Sequence, residues 1–436
     1  MGKWKLTGFC GLLFLLMLLT ACSGSSSEAN GDTAAGSDAT PSQAAASEPV
    51  TLRIFTNLTE ASDAFKVLKE KYEAEFPNVT LEIDATGDNN FGTAMKARMA
   101  AGEMPDIFTN SGGSELGLWG DYMEDLSSEA WISEAQDNTL NNITVDGKVY
   151  GFPLTISGFG FMYNKDLFAK AGITEVPATM TTLKEAVDKL NAAGIPAFIP
   201  PFGEWYTPGV FEANNPVAKQ ADPVKFLADL TAGSDKITGN QLFMDWLDLF
   251  MLEVKNANKN VLTIDYTTMV TDFANGEGAI TLGSSFSQPL LDQINPDVNL
   301  GVMPMPINDD AELNDKIFVG VSAYLAVNKD SKVKDEAKKL LNWLAASETG
   351  KAVLVNDFKF IPTMKGVETT PEAVGSIGSS MMEYIDAGKT LSYYYNDYPE
   401  GLTTEWGTIL QEYAAERITK EQTLERFQAA WDQFNK

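Results

Sequence analysis

The chain has 436 residues, of which 60 are acidic and 32 are basic, so its formal net charge is −28 at pH 7. This charge excludes a nucleic-acid-binding protein, because such proteins need a basic surface. Histidine is absent and the two cysteines are Cys10 and Cys22. Without histidine, Ser-His-Asp triads and zinc enzymes with histidine ligands are excluded, and we expect no metal and no cofactor.

The N-terminal segment has the features of a secretory signal. Two lysines precede an apolar stretch over residues 6–20, which is too short to span a bilayer. The stretch ends in LTAC at residues 19–22, which resembles the lipobox of bacterial lipoproteins. We therefore expect residues 1–21 to be a signal peptide and Cys22 to carry a lipid. An ordinary cleavage site with an incidental cysteine is the alternative.

The segment at residues 22–48 differs in composition from the rest of the chain. After Cys22 it contains mainly Ser, Ala, Gly, Asp and Thr, and it has no large apolar residue. Such a segment cannot bury enough apolar surface to fold, so it is predicted to be a flexible tether. With both cysteines at the N-terminus, the remaining residues have no thiol. Residues 49–436 exceed the size of one compact core, which predicts two domains.

The first elements after the tether alternate between strands and helices. Strands are predicted over Val50–Asn57, Val79–Ile83 and Asp106–Thr109, with a helix around Phe65–Phe76 and another over Phe91–Ala101. This βαβαβ order predicts a parallel sheet with helices on its faces. Ligands of such sheets bind beyond the carboxyl ends of the strands.

The same alternation begins again downstream. Thr182 and Glu185 are predicted to form a capping box for a helix that ends near Ala193. Further strands are predicted at residues 197–200, 278–282 and 317–327, and a further helix at residues 333–345. Because no second low-complexity linker interrupts the chain, we expect strands of the sheets to join the two domains.

The order of these segments resembles the family 1 extracellular solute-binding proteins, the group that contains maltose-binding protein. The matching stretches are DGKVYGFPLTISGFGFMYNKDLFAKAGI at residues 146–173, MPDI at 104–107, NGEGAITLG at 275–283, and GVSAYLAVNKD with LLNWLAASETG within 320–350. The resemblance implies an α/β, two-lobed, periplasmic-binding-protein-like fold with crossing strands as its hinge. The implied N-terminal lobe is residues 49–157 plus 307–358, and the implied C-terminal lobe is residues 158–306 plus 359–436.

Candidate ligand-binding residues lie in the loops of the implied cleft. A sugar needs aromatic rings for its CH face and polar groups for its hydroxyls. The candidates are Asn57, Glu60, Asn110, Ser111, Ser157, Glu204, Trp205, Tyr206, Ser284, Phe286 and Trp406. In the resembled family, an acid and an aromatic that contact sugar match Glu204 and Trp205, and Phe286 stands where a stacking Trp is often found.

Several candidates have structural alternatives. Core burial is the alternative for Trp205, helix capping for Asn57, and a hinge hydroxyl for Ser157. Trp406 resembles a cleft aromatic, but the register before it is poorly determined. Residues 393–395 are three consecutive tyrosines, which cannot all face one side of the chain, so at least one is expected to be exposed.

The resemblance implies a protein that binds without catalysis. We expect it to capture a carbohydrate, and specifically an oligosaccharide, and to deliver it to an ABC permease. The protein is expected to be a monomer, held at the outer face of the bacterial membrane through Cys22. Two alternatives stay open: a secreted carbohydrate-active enzyme with paired carboxylates, and a binding lipoprotein for a non-sugar solute such as a polyamine or a cation.

Overall fold

The computed structural model of the protein describes residues 48–436, apart from Ser114, Asp137 and Asn138 and the side chains of Asp88, Asn89 and Pro371. The predicted signal peptide, the lipid site at Cys22 and nearly all of the tether lie outside the described residues. Residues 47–436 group into one unit. Among the described helices, none is both long and apolar enough to cross a bilayer.

The strands of the described residues belong mainly to one sheet. They are β1 (Val50–Thr56), β2 (Val79–Ala85), β3 (Ile107–Asn110), β4 (Thr144–Val145), β5 (Lys148–Val149), β6 (Phe152–Asn164), β7 (Ile280–Ser284), β8 (Leu300–Met303), β9 (Ile317–Val327) and β10 (Thr390–Leu391). The main sheet has the order β2-β1-β3-β9-β6-β7, with β8 beside β6 and β10 beside β9, whereas β4 and β5 pair with each other.

In the described residues, helices lie between the strands and follow the last of them. They are α1 (Ser62–Glu75), α2 (Asp88–Ala101), α3 (Glu115–Trp119), α4 (Lys165–Lys170), α5 (Met180–Ala192), α6 (Ala213–Ala218), α7 (Pro223–Ala232), α8 (Gln241–Lys255), α9 (Tyr266–Ala274), α10 (Gln288–Ile294), α11 (Ala311–Asn314), α12 (Lys334–Ala346), α13 (Glu348–Ala352), α14 (Pro371–Asp386), α15 (Leu402–Ala414) and α16 (Lys420–Phe434). A π-helical turn, Thr207–Glu212, precedes α6.

The predicted βαβαβ start of the fold is confirmed. Strand β1 pairs in parallel with both β2 and β3, and α1 and α2 connect them. The predicted capping box differs in register: the side chain of Thr179 accepts from the N–H of Thr182, and Thr182 Oγ1 accepts from the N–H of Thr179. The strand predicted at residues 197–200 is reduced to bridges at Phe198, because the prolines around it provide no N–H for a ladder.

Strands β6 and β9 are neighbours in the middle of the sheet and connect its two halves. Strand β9 pairs with β3 over Tyr324–Val327 and with β6 over Phe318–Leu325. Beyond that overlap, β6 continues and pairs with β7 over residues 159–163 and with β8 over residues 161–164. Both halves therefore share one continuous hydrogen-bonded sheet.

The buried apolar side chains form separate clusters on the two halves. One cluster, here the N-terminal region, draws on residues from Leu52 to Leu154 and from Val321 to Met364. Two others, together the C-terminal region, draw mainly on residues 159–318 and 377–431. Since Phe318 packs in the C-terminal region and Val321 in the N-terminal one, the core changes within β9. The lobe limits given above, with a return at residue 307, stay a prediction.

Candidate functional site

Loops from both regions meet where β1 and β3 end. The N–H of Asn57, just after β1, donates to Thr109 Oγ1 at 3.1 Å, so the loops after β1 and β3 lie side by side. From the C-terminal region, the turn Ser285–Ser287 after β7 contacts the turn Thr59–Ala61. These contacts bring the predicted residues at 57, 60, 284 and 286 together near the edge of the sheet where β1 and β3 end.

Asn110 contributes a buried amide to this edge. Its side chain is 2% exposed, and its Oδ1 accepts from the N–H of Gly112 at 2.7 Å. Its Nδ2 has no hydrogen-bond partner among the described residues. An unsatisfied buried donor costs about 1–3 kcal/mol, so a movement of these loops that brings a ligand hydroxyl to Nδ2 would be favoured. Ser111 contributes through its backbone, since its N–H donates to Glu115 Oε2 at 2.7 Å.

A row of four half-buried aromatic rings lies in the C-terminal region. The members of this aromatic row are Trp205, Tyr206, Phe211 and Tyr395. The centroids of successive rings are 6.2, 6.3 and 6.2 Å apart, each pair edge to face. Two buried rings support the row, with Phe159 at 5.0 Å from Phe211 and Tyr393 at 5.2 Å from Tyr395. The partly exposed faces provide the apolar surface that a sugar ring needs.

Glu204 lies at the end of the aromatic row and is held by two donors. Its Oε2 accepts from Tyr206 OH at 2.9 Å and from the N–H of Tyr266 at 3.0 Å. Tyr266 is the first residue of α9, and a carboxylate is favoured at a helix N-terminus. The carboxylate is thereby fixed beside the rings, where it can accept hydrogen bonds from sugar hydroxyls.

Ser157 forms hydrogen bonds at the crossing strands and does not face the aromatic row. Its side chain is 1% exposed, and its Oγ donates to Ser322 Oγ at 2.7 Å. Tyr393 OH donates to the Ser157 carbonyl at 2.8 Å and lies 3.1 Å from its Oγ, and burial raises the pKa of Tyr393. This network matches the hinge alternative for Ser157, and we leave this residue out of the proposed site.

Trp406 lies in the hydrophobic core and differs from the expected cleft aromatic. Its ring is fully buried, stacks on Phe427 at 4.7 Å, and donates through Nε1 to the Phe427 carbonyl at 3.2 Å. Phe286 is half-buried, but its ring meets Phe360 of the N-terminal region edge to face at 5.4 Å. Phe286 therefore packs between the two regions and presents less ring face than a free stacking residue.

A buried ionisable cluster behind the aromatic row was not predicted. Glu212, which follows Phe211, accepts from Trp246 Nε1 at 3.0 Å, and both oxygens of Glu253 lack hydrogen-bond partners among the described residues. Burial raises the pKa of Glu212 to about 7 and raises the pKa of Glu253, whereas burial lowers the pKa of Lys219 to about 7. The cluster is sealed in the core, so it supports the row instead of contacting ligand.

Two members of the aromatic row were missed by sequence reasoning. Phe211 lies in the π-helical turn, where neither helical nor strand periodicity applies. Tyr395 is one of three consecutive tyrosines, of which the fold buries Tyr393 and leaves Tyr394 and Tyr395 half-exposed. Within the described part of the chain, no group of three or more His, Cys, Asp or Glu residues could hold a metal ion.

The sequence has relatives among sugar-binding proteins. The melibiose/raffinose/stachyose-binding protein MelE of Bacillus subtilis is 26% identical over 424 residues, which cover 93% of this chain and 91% of MelE. The multiple sugar-binding protein of Streptococcus mutans is 24% identical over 356 residues, which cover 79% of this chain and 80% of that protein. These relatives are binding proteins and not enzymes.

The fold also matches solved structures and a family model. The solute-binding protein RafE in complex with raffinose has a TM-score of 0.77 at 18% identity, covering 88% of this chain and 100% of that chain. A chitin oligosaccharide binding protein has a TM-score of 0.74 at 24% identity, and the match covers 89% of this chain and 99% of that chain. The predicted two-lobed α/β fold is thereby confirmed. Since the family model for bacterial extracellular solute-binding proteins matches residues 56–351, the chain belongs to that extracytoplasmic family.

Proposed function

We propose that this protein is the substrate-binding lipoprotein of an ABC importer and that it captures an oligosaccharide of the raffinose type. The observation that carries the proposal is the aromatic row beside a fixed carboxylate and a buried amide donor. Rings of this kind bind the CH faces of sugars, and the polar groups bind hydroxyls. The names of MelE and of the raffinose complex of RafE support the choice of ligand.

Within this proposal, both regions contribute to the site. The C-terminal region provides the aromatic row and Glu204, and the N-terminal region provides Asn57, Glu60 and Asn110. A sugar that contacts both sets favours the state in which the regions are close, because only that state makes all of the contacts. Strands β6 and β9 act as the hinge, and the permease recognises the closed form.

The proposed protein binds its sugar and releases it chemically unchanged. Glu204, the carboxylate described beside the aromatic row, accepts from Tyr206 and from the backbone of Tyr266. A glycosidase needs a pair of carboxyl groups on either side of the bond that is cleaved. The acids Glu212 and Glu253 are close to each other but fully buried, so a sugar cannot reach them.

Calorimetry with the full-length protein tests the ligand assignment. We expect raffinose and stachyose to bind with micromolar or tighter affinity, and melibiose more weakly because it covers fewer rings. Spermidine and Ca²⁺ are the comparison ligands for the alternatives left open above. Binding of spermidine or Ca²⁺ without binding of any oligosaccharide would contradict the proposal. Sugar recovered after incubation should be intact by chromatography, and turnover would instead support a glycosidase.

The lipid anchor is a separate part of the proposal and has its own test. Cys22 is expected to carry the lipid, with residues 22–48 as the tether to the membrane. We expect metabolic labelling with palmitate in the wild type and its loss in Cys22→Ala, together with release of the protein from the membrane fraction. Cys10→Ala is the matched control and should leave labelling unchanged. Light scattering of the detergent-solubilised protein should give the mass of a monomer.

A further inference from the structure

The segment Ser392–Tyr398 belongs to the C-terminal region but reaches the N-terminal one. Tyr393 OH donates to the carbonyl of Ser157 at 2.8 Å, and the N–H of Tyr394 donates to Asn214 Oδ1 at 2.8 Å. Asn214 is fully buried in α6. Because Asn214 lies in the C-terminal region and Ser157 in the crossing strand β6, the start of the segment is held on the C-terminal region and on the hinge.

Asn396 makes the contact with the N-terminal region. Its side chain is 5% exposed, and its Nδ2 donates to the carbonyl of Ser111 at 3.1 Å. Gly113 lies directly against it: a Cβ added there would be 2.3 Å from the Asn396 carbonyl oxygen and 2.6 Å from the Asn396 Cβ. Gly113 also has a φ of +55°, a backbone conformation that favours glycine. The loop after β3 is therefore shaped to receive Asn396.

Both partners in this contact are next to residues of the candidate site. Tyr395, which precedes Asn396, is the last ring of the aromatic row and stacks on Tyr393 at 5.2 Å. Ser111 follows Asn110, whose Nδ2 is the buried donor described above. A sugar that touches the Tyr395 ring and the Asn110 amide would hold together the two segments that Asn396 joins.

We propose that Asn396, Ser111 and Gly113 form a latch that holds the two regions together over bound sugar. In this role Asn396 is a positioning residue, which acts on the lifetime of the complex and does not touch the ligand. The proposal rests on the proposed function for the sugar itself. The ion pair between Lys96 and Glu400 at 3.8 Å also joins the two regions nearby, but both side chains are more than half exposed, so it contributes little.

A thiol crosslink tests the contact without any ligand. Ser111→Cys and Asn396→Cys are combined in the full chain with Cys10→Ser and Cys22→Ser, so the introduced thiols are the reactive pair. Gly113 is kept, because a side chain at that position would itself meet Asn396. Since Asn396 Nδ2 lies 3.1 Å from the Ser111 carbonyl oxygen, a short bifunctional thiol reagent should join the two cysteines. The control pair Gly147→Cys and Asn396→Cys should stay unjoined. Absence of the Ser111–Asn396 crosslink would overturn the proposal.

Stopped-flow binding of raffinose tests the role of the latch. Asn396→Ala and the isosteric Asn396→Asp each remove the amide donor, and we expect the dissociation rate to rise about 10-fold. The association rate should change by less than about 2-fold, and the melting temperature of the free protein should stay close to that of the wild type. A purely structural role would instead lower the melting temperature and leave the dissociation rate unchanged, which would contradict the latch.

Gly113→Ala provides an independent variant on the other side of the contact. It should raise the raffinose dissociation rate because the new Cβ meets Asn396. Gly147→Ala has a comparable φ of +77° with nothing within 4 Å, so it reports backbone strain alone. Equal effects of the two glycine variants would contradict the latch. If the wild type binds neither raffinose nor stachyose, the proposed function fails, and the crosslink still decides whether the two segments meet.

Discussion

Two groups of aromatic side chains lie in the C-terminal region and differ in their surroundings. Trp406 is fully buried and stacks on Phe427, with a second tryptophan, Trp431, at 6.2 Å. The aromatic row, by contrast, is half-buried and ends beside Glu204 at one side and beside the contact with the N-terminal region at the other. Ring contacts at similar distances occur in both groups, so exposure and neighbouring polar groups, not stacking, separate a ligand surface from a core.

The largest expected effect is a loss of stability when Trp406, in the buried group, is replaced. Trp406→Ala removes a fully buried ring, which should lower the free energy of unfolding by about 3–5 kcal/mol. Urea titration followed by circular dichroism measures the change. Raffinose affinity at low temperature, where the variant is folded, should match the wild type. A variant with normal stability and much weaker raffinose binding would show that Trp406 contacts ligand after all.

The next effect falls on the half-buried group. Trp205→Ala should weaken raffinose binding by about 2 kcal/mol, or roughly 30-fold, because a ring face is lost from the ligand surface. Calorimetry measures the affinity, and the melting temperature should change little. Tyr122→Ala is the control, since Tyr122 is also half-buried but lies in the N-terminal region, away from the row. Equal losses of raffinose affinity in Trp205→Ala and Tyr122→Ala would contradict a ligand-binding role for the aromatic row.

The buried acids Glu212 and Glu253 predict a pH dependence of the protein's stability. Burial raises the pKa of Glu253 and of Glu212 above the ordinary value of 4.5, the latter to about 7. Between about pH 5 and pH 7 the folded protein therefore keeps protons that the unfolded chain releases, so stability falls as the pH rises. Lys219, with its pKa lowered to about 7, has the opposite effect only above that pH.

Glu253→Gln tests this dependence, because glutamine keeps the shape and is neutral. We expect the fall in unfolding free energy between pH 5 and pH 7 to flatten by about 1 kcal/mol per pH unit. Urea titrations at several pH values measure the slope. Glu82→Gln, at an exposed position of β2, is the matched control and should keep the wild-type slope. An unchanged slope in Glu253→Gln would mean that the buried pair does not hold the proton.

The smallest expected effect concerns the polar end of the aromatic row. Tyr206→Phe keeps the ring and removes the hydroxyl that donates to Glu204 at 2.9 Å. The loss of one hydrogen bond that positions the carboxylate should weaken raffinose binding by about 0.5–1 kcal/mol, or roughly 2- to 5-fold. Calorimetry against the wild type is sufficient. A loss as large as that of Trp205→Ala would indicate that the hydroxyl contacts the sugar directly.

The sequence predicted the order of elements better than the site. Alternation and helical spacing located β1, α1, β2, α2 and β3 to within a few residues, because these elements bury one regular face. The same signal could have identified Trp406 as a core residue. It lies in α15 with Leu402, Ile409, Leu410 and Tyr413 at helical spacing, and all five are buried.

The ligand surface was harder to predict because it depends on irregular segments. Phe211 lies in a π-helical turn and Tyr395 in a short turn between a two-residue strand and α15. Neither segment has a hydrophobic period, so the sequence could not show which ring is half-exposed. Glu204 and Trp205 were predicted because a strand-like stretch precedes them and because the resembled family has an acid and an aromatic in the matching loop. Asn396 could not be predicted, because its partner is a backbone carbonyl 285 residues away.

The shared sheet has a consequence for how the protein is made. The N-terminal region contains β1–β3 and also β9, and its core includes Tyr324, Leu341 and Phe360. A nascent chain that ends before these residues therefore lacks the strand that pairs with β3 and a large share of the first core. The N-terminal region can therefore complete its sheet and its core only after about four-fifths of the chain has been synthesised. We expect the first half of the chain to remain unfolded, and sensitive to proteases, for most of the time that translation takes.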